Sequence, residues 1–178
     1  MSDAGYYDNA YLGLIADPDS EGWVWLAERV KRIAPLIIGE SVLDLGCGLA
    51  AIADAVDVSY YGIDYSRVAY EWNCANVRNP KARFGIKGIY NPPIELWDTV
   101  LALEVLEHIQ DPDRLCHLAL HCAKQRVIVT VPVDMPGKKH YHPTWTGEML
   151  LDYLGTSTVI EQFGGPENDR WWLAVKDT

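Results

Sequence analysis

Apolar residues recur along the chain with two different spacings. A helical spacing is seen at positions 23, 26, 30 and 33, with charged residues on the opposite face. Short apolar runs, of the length expected for strands buried in a sheet, occur at residues 42–45, 60–64, 82–86, 98–103 and 125–131. The chain is therefore predicted to alternate helices with strands.

Start and stop signals place helices between these runs. Residues with capping side chains begin predicted helices at 66–77, 111–123 and 146–154. A further helix could open directly after the glycines, at 49–55. Residues 1–20, which are rich in Tyr, Asp and Gly, are predicted to form an irregular arm that could pack loosely or close over a ligand.

Strands that alternate with helices predict a mostly parallel sheet with right-handed crossovers. The last two predicted strands, at 157–163 and 170–175, are separated only by turn residues and should pair antiparallel. A length of 178 residues suits one domain. We therefore predict a single domain, with an arm and a first helix at 1–39 and the sheet at 40–178.

The composition narrows the function classes. A formal net charge of −10 and the shortness of the basic runs argue against a nucleic-acid partner held by phosphate contacts. No apolar run approaches the roughly 20 residues of a membrane span, and the N-terminus lacks the features of a signal peptide. The four cysteines show no framework spacing, which favours reduced thiols and a cytoplasmic protein.

The run Ser-Val-Leu-Asp-Leu-Gly-Cys-Gly at residues 41–48 is typical of a nucleotide-type cofactor site. Gly46 and Gly48 allow a tight turn and the close approach of a ligand to the backbone. A dinucleotide site usually has a third glycine, which is absent here, and Asp44 suits a cationic group better than a pyrophosphate. Asp64 ends the next strand, 20 residues after Asp44, where a carboxylate can accept both hydroxyls of a ribose.

Three segments together resemble the class I S-adenosylmethionine-dependent methyltransferases. They are Val-Leu-Asp-Leu-Gly-Cys-Gly at 42–48, Gly-Ile-Asp at 62–64 and Leu-Glu-Val-Leu-Glu-His-Ile at 103–109. The third segment looks like that of the small-molecule, ubiquinone/menaquinone-biosynthesis-like branch. The resemblance covers about residues 40–178. It implies an α/β fold with a Rossmann-like, doubly wound, mostly parallel seven-stranded sheet that ends in an antiparallel C-terminal hairpin.

The resemblance also implies that the cofactor is S-adenosyl-L-methionine and that the product is S-adenosyl-L-homocysteine. The family pattern assigns cofactor contacts to Asp44 (methionine amino group), to Gly46, Cys47 and Gly48 (backbone), to Asp64 (ribose), to Tyr65 and Ile89 (adenine), and to Glu104 and Val105 (methionine side). The pattern departs from the family at Gly88, where an acid that contacts the adenine amine is often found.

The acceptor side is predicted from the loop at residues 134–145, which leaves the carboxyl edge of the sheet, where ligands bind in open α/β folds. Histidine titrates near neutral pH, so His140 or His142 could take a proton from an acceptor hydroxyl or amine. Further candidate substrate contacts are Tyr11, Tyr141 and His108.

No metal site is predicted, because His117 and His121 lie on the solvent face of their helix and lack further converging ligands.

The favoured function is methyl transfer to an oxygen or nitrogen of a small molecule. Two alternatives stay open, namely an RNA or protein methyltransferase of the same fold and a catalytically silent cofactor-binding partner protein; a nicotinamide-binding oxidoreductase fits less well. The identity of the acceptor and the oligomeric state are not determined by the sequence.

Overall fold

The computed structural model describes residues 3–134, 140–164 and 170–178. The strands in that part of the chain are β1 (Ser41–Leu45), β2 (Ser59–Asp64), β3 (Ala82–Ile86), β4 (Trp97–Leu103), β5 (Ala123–Pro132), β6 (Val159–Gly164) and β7 (Arg170–Asp177). The α-helices are α1 (Asp3–Ala16), α2 (Glu21–Ile33), α3 (Arg67–Asn76), α4 (Pro112–Cys122) and α5 (Gly147–Leu154). The strand order across the described sheet is β3-β2-β1-β4-β5-β7-β6.

This order confirms the predicted α/β fold, a mostly parallel seven-stranded sheet with antiparallel C-terminal strands. The chain consists of two compact units, Met1–Pro92 and Pro93–Thr178. The organisation into a single domain stays a prediction. Among the described residues, no helix combines the length and the apolar composition that crossing a membrane requires.

The first unit contains three parallel strands. β1 pairs with β2 from Ser41 opposite Ser59 to Leu45 opposite Ile63, and β2 pairs with β3. All of β1 after its first residue is buried, as expected for a strand covered on both faces. The N-cap predicted for α3 is present, since the Ser66 hydroxyl accepts a hydrogen bond from the backbone N–H of Ala69 at 3.1 Å.

Two predictions for the first unit are wrong. Residues 3–16 form helix α1 rather than an irregular arm, because this weakly patterned segment gains contacts by packing against α3. No α-helix follows the glycines at 49–55. Ala50 has φ +46°, a left-handed conformation that a right-handed helix cannot continue, and the only helical piece there is a 3₁₀ turn at Ala53–Ala55.

The second unit contains β4 to β7, with α4 and α5 packed against each other. β4 and β5 are parallel, whereas β5 pairs with β7 and β7 with β6 in antiparallel register. The predicted caps of α4 and α5 are present, because Asp111 Oδ1 accepts from the N–H of Arg114 and Thr146 Oγ1 from that of Met149. The predicted turn between the last two strands falls on 165–169, outside the described residues.

The side chains of α4 lie as predicted. His117 and His121 are exposed, while the core side of the helix buries Leu115, Ala119 and Cys122. All four cysteines are free thiols.

Candidate functional site

The glycine turn, residues 46–48, connects the end of β1 to the start of an irregular segment. Gly46 (φ +77°) and Gly48 (φ +50°) adopt left-handed conformations that favour glycine. The backbone N–H groups of Gly46 and Cys47 both donate to the carbonyl oxygen of Ile63, at 2.8 and 3.0 Å. These two hydrogen bonds hold the turn against the carboxyl end of β2.

Asp64 is the side chain that completes this turn. Its Oδ2 accepts a hydrogen bond from the N–H of Gly48 at 3.0 Å, and its Oδ1 accepts from the N–H of Ser66 at 2.8 Å. Burial raises the pKa of the Asp64 carboxyl above its usual value, although both hydrogen bonds favour the ionised form. A buried carboxylate is thus fixed between the backbone N–H groups of Gly48 and Ser66.

Helix α1 covers this carboxylate. The Tyr11 hydroxyl lies 3.4 Å from Asp64 Oδ2, and it lies 2.9 Å from the point where a Cβ on Gly48 would stand. Burial, followed by the negative charge of Asp64, raises the pKa of Tyr11 well above its usual value, so the hydroxyl stays protonated. Any larger residue at position 48 would collide with Tyr11.

Two contacts hold α1 against the start of α3. Asp8 Oδ1 accepts hydrogen bonds from the Ser66 hydroxyl at 2.5 Å and from the N–H of Val68 at 3.3 Å. Tyr7 packs edge-on against Tyr65, with ring centroids 5.5 Å apart. Tyr65 therefore contacts α1, and its predicted contact with an adenine stays a prediction.

Asp44 is buried in β1 beside Tyr60, whose hydroxyl donates to Oδ2 at 2.5 Å. Within the described residues, Asp44 Oδ1 has no hydrogen-bond partner. Burial raises the pKa of Asp44 to about 6, although the Tyr60 hydroxyl and the positive charge of Arg29 favour the ionised form. Because a buried oxygen without a partner is costly, this position suits a ligand that carries a cationic N–H donor.

The other predicted cofactor residues of the first unit are less distinctive. Burial, and then the charge of Asp44, raises the pKa of Cys47 well above its usual value, so this thiol stays protonated and is not a nucleophile. Ile89 is half-buried in the turn after β3. A side chain at Gly88 would meet only Asn91 Nδ2, at 3.9 Å, so lack of space does not explain the missing acid.

In the second unit, Glu104 and Val105 follow β4 directly. Glu104 has φ +57°, an uncommon left-handed conformation for a residue with a side chain, of the kind that clusters at functional sites. Its Oε2 accepts a hydrogen bond from the indole N–H of Trp171 at 2.5 Å. Val105 is buried. Their roles towards a cofactor stay predictions.

A histidine cluster, consisting of Glu107, His108 and His140, lies just beyond this strand end. Glu107 and His108 belong to a 3₁₀ turn at Leu106–His108, and the Glu107 side chain is only 2% exposed. Glu107 Oε1 lies 3.8 Å from His108 Nε2, and the rings of His108 and His140 meet edge-on with centroids 4.7 Å apart. One donor atom from each side chain lies within 4.8 Å of the other two.

The loop that carries His140 is tied to the same turn. The backbone N–H groups of Tyr141 and His142 both point at the carbonyl oxygen of Glu107, at 2.8 and 3.4 Å. The Tyr141 side chain is exposed, whereas the His142 ring meets Trp145 edge-on and its Nε2 has no hydrogen-bond partner among the described residues. His140 and His142 thus have different surroundings. The part of this loop at 135–139 lies outside the described residues.

Two side chains that contact predicted site residues had no role predicted from the sequence. Glu107 lies inside the segment that carries the resemblance, yet it had no predicted role, and no metal site was expected. Its signal was the Glu-His pair at a strand end, followed by further histidines after the next strand. Tyr60, the partner of Asp44, was also missed, because nothing in a strand sequence tells which neighbour a buried carboxylate will find.

The chain resembles known methyltransferases in sequence pattern and in fold. A family model described as a methyltransferase domain matches residues 24–161. A search of curated protein sequences finds no match. Many solved structures share the fold. One is magnesium protoporphyrin IX methyltransferase from Synechocystis PCC 6803 with bound S-adenosylmethionine, which is 18% identical with a TM-score of 0.62, over 97% of this chain and 79% of that chain.

Two further structures are similar over nearly their whole length. One belongs to the complex between the Haloferax volcanii Trm112 methyltransferase activator and a methyltransferase, with 16% identity, a TM-score of 0.70, and coverage of 95% of this chain and 96% of that chain. The other is an S-adenosylmethionine-dependent methyltransferase from Clostridium acetobutylicum, with 12% identity, a TM-score of 0.64, and coverage of 96% and 98%. At such low identity these likenesses show the fold.

Proposed function

The chain belongs to the methyltransferase-domain family, and from this premise we propose that it transfers a methyl group from S-adenosylmethionine to a hydroxyl or amine of a small molecule. It is an enzyme of the class I, S-adenosylmethionine-dependent type. The observation that carries the proposal is the buried Asp64 carboxylate fixed above the glycine turn. We further propose a cytoplasmic protein of the ubiquinone/menaquinone-biosynthesis-like branch.

The first unit fits the ribose of the cofactor. Asp64 keeps its carboxylate next to the backbone of Gly48, which has no side chain of its own to obstruct a sugar. Its pKa is raised above the usual value by burial, yet the hydrogen bonds from the backbone favour the charged form that accepts hydroxyl donors best. Tyr11 now stands where a ribose hydroxyl would approach Asp64, so α1 would have to yield or share this carboxylate.

Asp44 fits the charged end of the same cofactor. A methionine moiety carries an ammonium group, and Asp44 Oδ1 has no hydrogen-bond partner within the described residues. An ammonium group would donate the missing hydrogen bond to Asp44 Oδ1. Its positive charge would also stabilise the ionised carboxylate, which burial away from water disfavours. Burial and the absent partner together support the assignment of Asp44 to the methionine end.

The second unit is proposed to serve the acceptor. The cofactor, when bound, supplies a methyl group on a sulfonium sulfur, and transfer breaks that carbon–sulfur bond to leave S-adenosylhomocysteine. His140 or His142 would take the proton that an acceptor hydroxyl or amine loses. Tyr141, whose side chain is exposed, is free to reach an acceptor, and His108 meets His140 edge-on. Because the donor is activated, alignment of the acceptor matters more than strong base catalysis.

A small-molecule acceptor is favoured over RNA or protein for two reasons. The net charge of −10 opposes phosphate binding, and the Synechocystis structure with the same fold is named for a porphyrin substrate. An RNA or protein acceptor is the second candidate, and labelling of separated fractions distinguishes it from a small molecule. A silent partner protein is disfavoured by membership of an enzyme family.

The test is a labelling experiment with S-adenosylmethionine that carries a radioactive methyl group. The enzyme is incubated with a cell extract that has been separated into small molecules, RNA and protein, and incorporation into each fraction is counted. We expect label in the small-molecule fraction, absent with Asp64→Ala and unchanged with Asp19→Asn, which alters an exposed acid. Label found only in RNA or protein would contradict the proposed acceptor class.

A further inference from the structure

We propose that the histidine cluster binds a divalent transition-metal ion, with Glu107, His108 and His140 as its protein ligands. The cluster combines a buried carboxylate with two imidazoles, and one donor atom from each lies within 4.8 Å of the other two. The role of this ion in methyl transfer rests on the proposed function, whereas its binding does not.

The distances are close to those of a metal centre. Ligands that lie about 2.0–2.2 Å from one ion are separated from one another by roughly 3–4 Å. Glu107 Oε1 and His108 Nε2 are already 3.8 Å apart, and the widest separation in the cluster is within 4.8 Å. Side-chain rotations that move donor atoms by on the order of 1 Å would bring all three onto one ion.

The backbone prepares the cluster independently of any ion. Glu107 and His108 are fixed on a 3₁₀ turn, in which the N–H of His108 donates to the carbonyl of Val105 at 3.0 Å. The carbonyl of Glu107 accepts from the N–H of Tyr141, the residue next to His140, at 2.8 Å. This hydrogen bond joins the two segments that supply ligands, so little ordering remains to be done when an ion binds.

The donor set indicates the kind of ion. Imidazole suits Zn²⁺, Fe²⁺ and related ions, and two imidazoles with one carboxylate form the ligand triad of many catalytic sites that keep open positions. Mg²⁺ prefers oxygen ligands and should bind more weakly. Three protein ligands leave at least one position for another molecule, and the oxygen of an acceptor hydroxyl is the fitting occupant.

A bound ion would change the role of His140. As a ligand, His140 would not be available as a general base, but the ion would lower the pKa of a coordinated hydroxyl and so reduce the need for one. The acceptor O–H would then lose its proton to His142 or to water. The acceptor class implied is a small molecule with an oxygen that can coordinate a metal, rather than an amine.

The first experiment measures ion binding without any substrate. The full chain is freed of metal with a chelator and titrated with Zn²⁺, Mn²⁺ or Mg²⁺ by calorimetry. We expect one Zn²⁺ or Mn²⁺ per chain, with affinity lowered at least about tenfold in Glu107→Gln and His140→Ala. The matched control His117→Ala removes an exposed histidine of the same unit and should bind the ion like the unaltered chain.

The same preparations are examined for folding by thermal melting, and Co²⁺ is added as a spectroscopic probe. Visible absorption of Co²⁺ with nitrogen ligands should appear in the unaltered chain and be lost in folded His140→Ala. Equal affinity in the unaltered chain and in His140→Ala, or no stoichiometric binding, would overturn the metal site. Cofactor titration of each sample distinguishes the two proposals. Cofactor binding without metal binding would contradict only the metal site. Metal binding without cofactor binding would contradict the proposed function.

Discussion

The glycine turn and the histidine cluster each lie beside a buried carboxylate at or just beyond the end of a strand, but they are assembled over different lengths of chain. Asp64 is held by backbone N–H groups of Gly48 and Ser66, one in the turn and one two residues away. Glu107 instead meets His140, which the chain brings back only after α4 and β5. The first arrangement is made by neighbouring strands, and the second by the return of a loop.

The two regions also differ in what they offer a ligand. The glycine turn, which Tyr11 covers in this structure, lies beside hydrogen-bond acceptors that suit hydroxyl and ammonium donors. The histidine cluster presents lone pairs of nitrogen and oxygen, which suit a proton or a metal ion. We propose that the glycine turn serves the methyl donor and the histidine cluster the acceptor.

The largest effect is expected from Asp64→Ala. Two charge-assisted hydrogen bonds to a ribose, at about 1.5–3 kcal/mol each, would be lost, so cofactor affinity should fall by at least about 100-fold. Calorimetric titration with S-adenosylhomocysteine measures this, and metal binding by the histidine cluster should be unchanged. Near-normal cofactor affinity in Asp64→Ala would contradict the assignment of Asp64 as the residue that binds the ribose.

The next effect is expected from His140→Ala and His142→Ala. Once an acceptor is known, turnover should fall by about 100-fold in at least one of them, which is the usual contribution of proton transfer. The dissociation constant of the cofactor should change by no more than about twofold, because both side chains belong to the acceptor side. His121→Ala, which removes an exposed histidine, is the control. Intact turnover in both variants would place the proton acceptor elsewhere.

A smaller effect concerns pH. Burial raises the pKa of Asp44 to about 6, so in the free protein this carboxyl becomes neutral as the pH falls below that value. A neutral carboxyl cannot pair with an ammonium, and cofactor affinity should drop by about tenfold between pH 7.5 and 5.0. Calorimetry across this range measures the drop. Asp44→Asn should bind weakly with little dependence on pH in this range, and an equally steep profile in that variant would assign the titration to another group.

The effect of Asp44 on the stability of the fold has the opposite pH dependence to its effect on cofactor affinity. A carboxyl whose folded-state pKa is raised above its unfolded value of about 3.9 binds its proton more tightly when folded. Its contribution to the free energy of unfolding therefore falls as the pH rises from about 4 to about 6. Thermal melting of the unaltered chain and Asp44→Asn, without cofactor, should show that this loss is confined to the chain that keeps Asp44.

The smallest effect is expected from Asp8→Ala, which tests the cover over the glycine turn. Removing the acceptor of the Ser66 hydroxyl and of the Val68 N–H should cost about 1 kcal/mol, the usual value of a helix cap. α1 should then detach more often, and limited proteolysis near the exposed residues 17–19 should become faster. Asp19→Ala is the control. Equal cleavage rates would show that Asp8 does not anchor α1.

Much of the fold follows from local pattern. The apolar runs predicted β1 to β5 within a residue or two, and the capping residues Ser66, Asp111 and Thr146 begin the helices predicted from them. These features depend on neighbours along the chain, so a sequence reveals them. The predictions were wrong for segments whose structure depends on packing against distant parts of the chain. The apolar residues of α1 are not gathered on one face, and the left-handed Ala50 replaces a predicted helix with turns.

The same distinction holds for function. The acid before the glycine turn and the acid at the end of the next strand are spaced by strand geometry, so the sequence alone predicts a cofactor site. Only the folded chain shows that Tyr11 reaches Asp64, that Tyr60 pairs with Asp44, and that His140 returns to Glu107. Such contacts depend on how a loop or helix closes over distances that no local pattern encodes. For this protein the methyl donor can be predicted from the sequence, whereas tertiary packing decides which side chains come together on the proposed acceptor side.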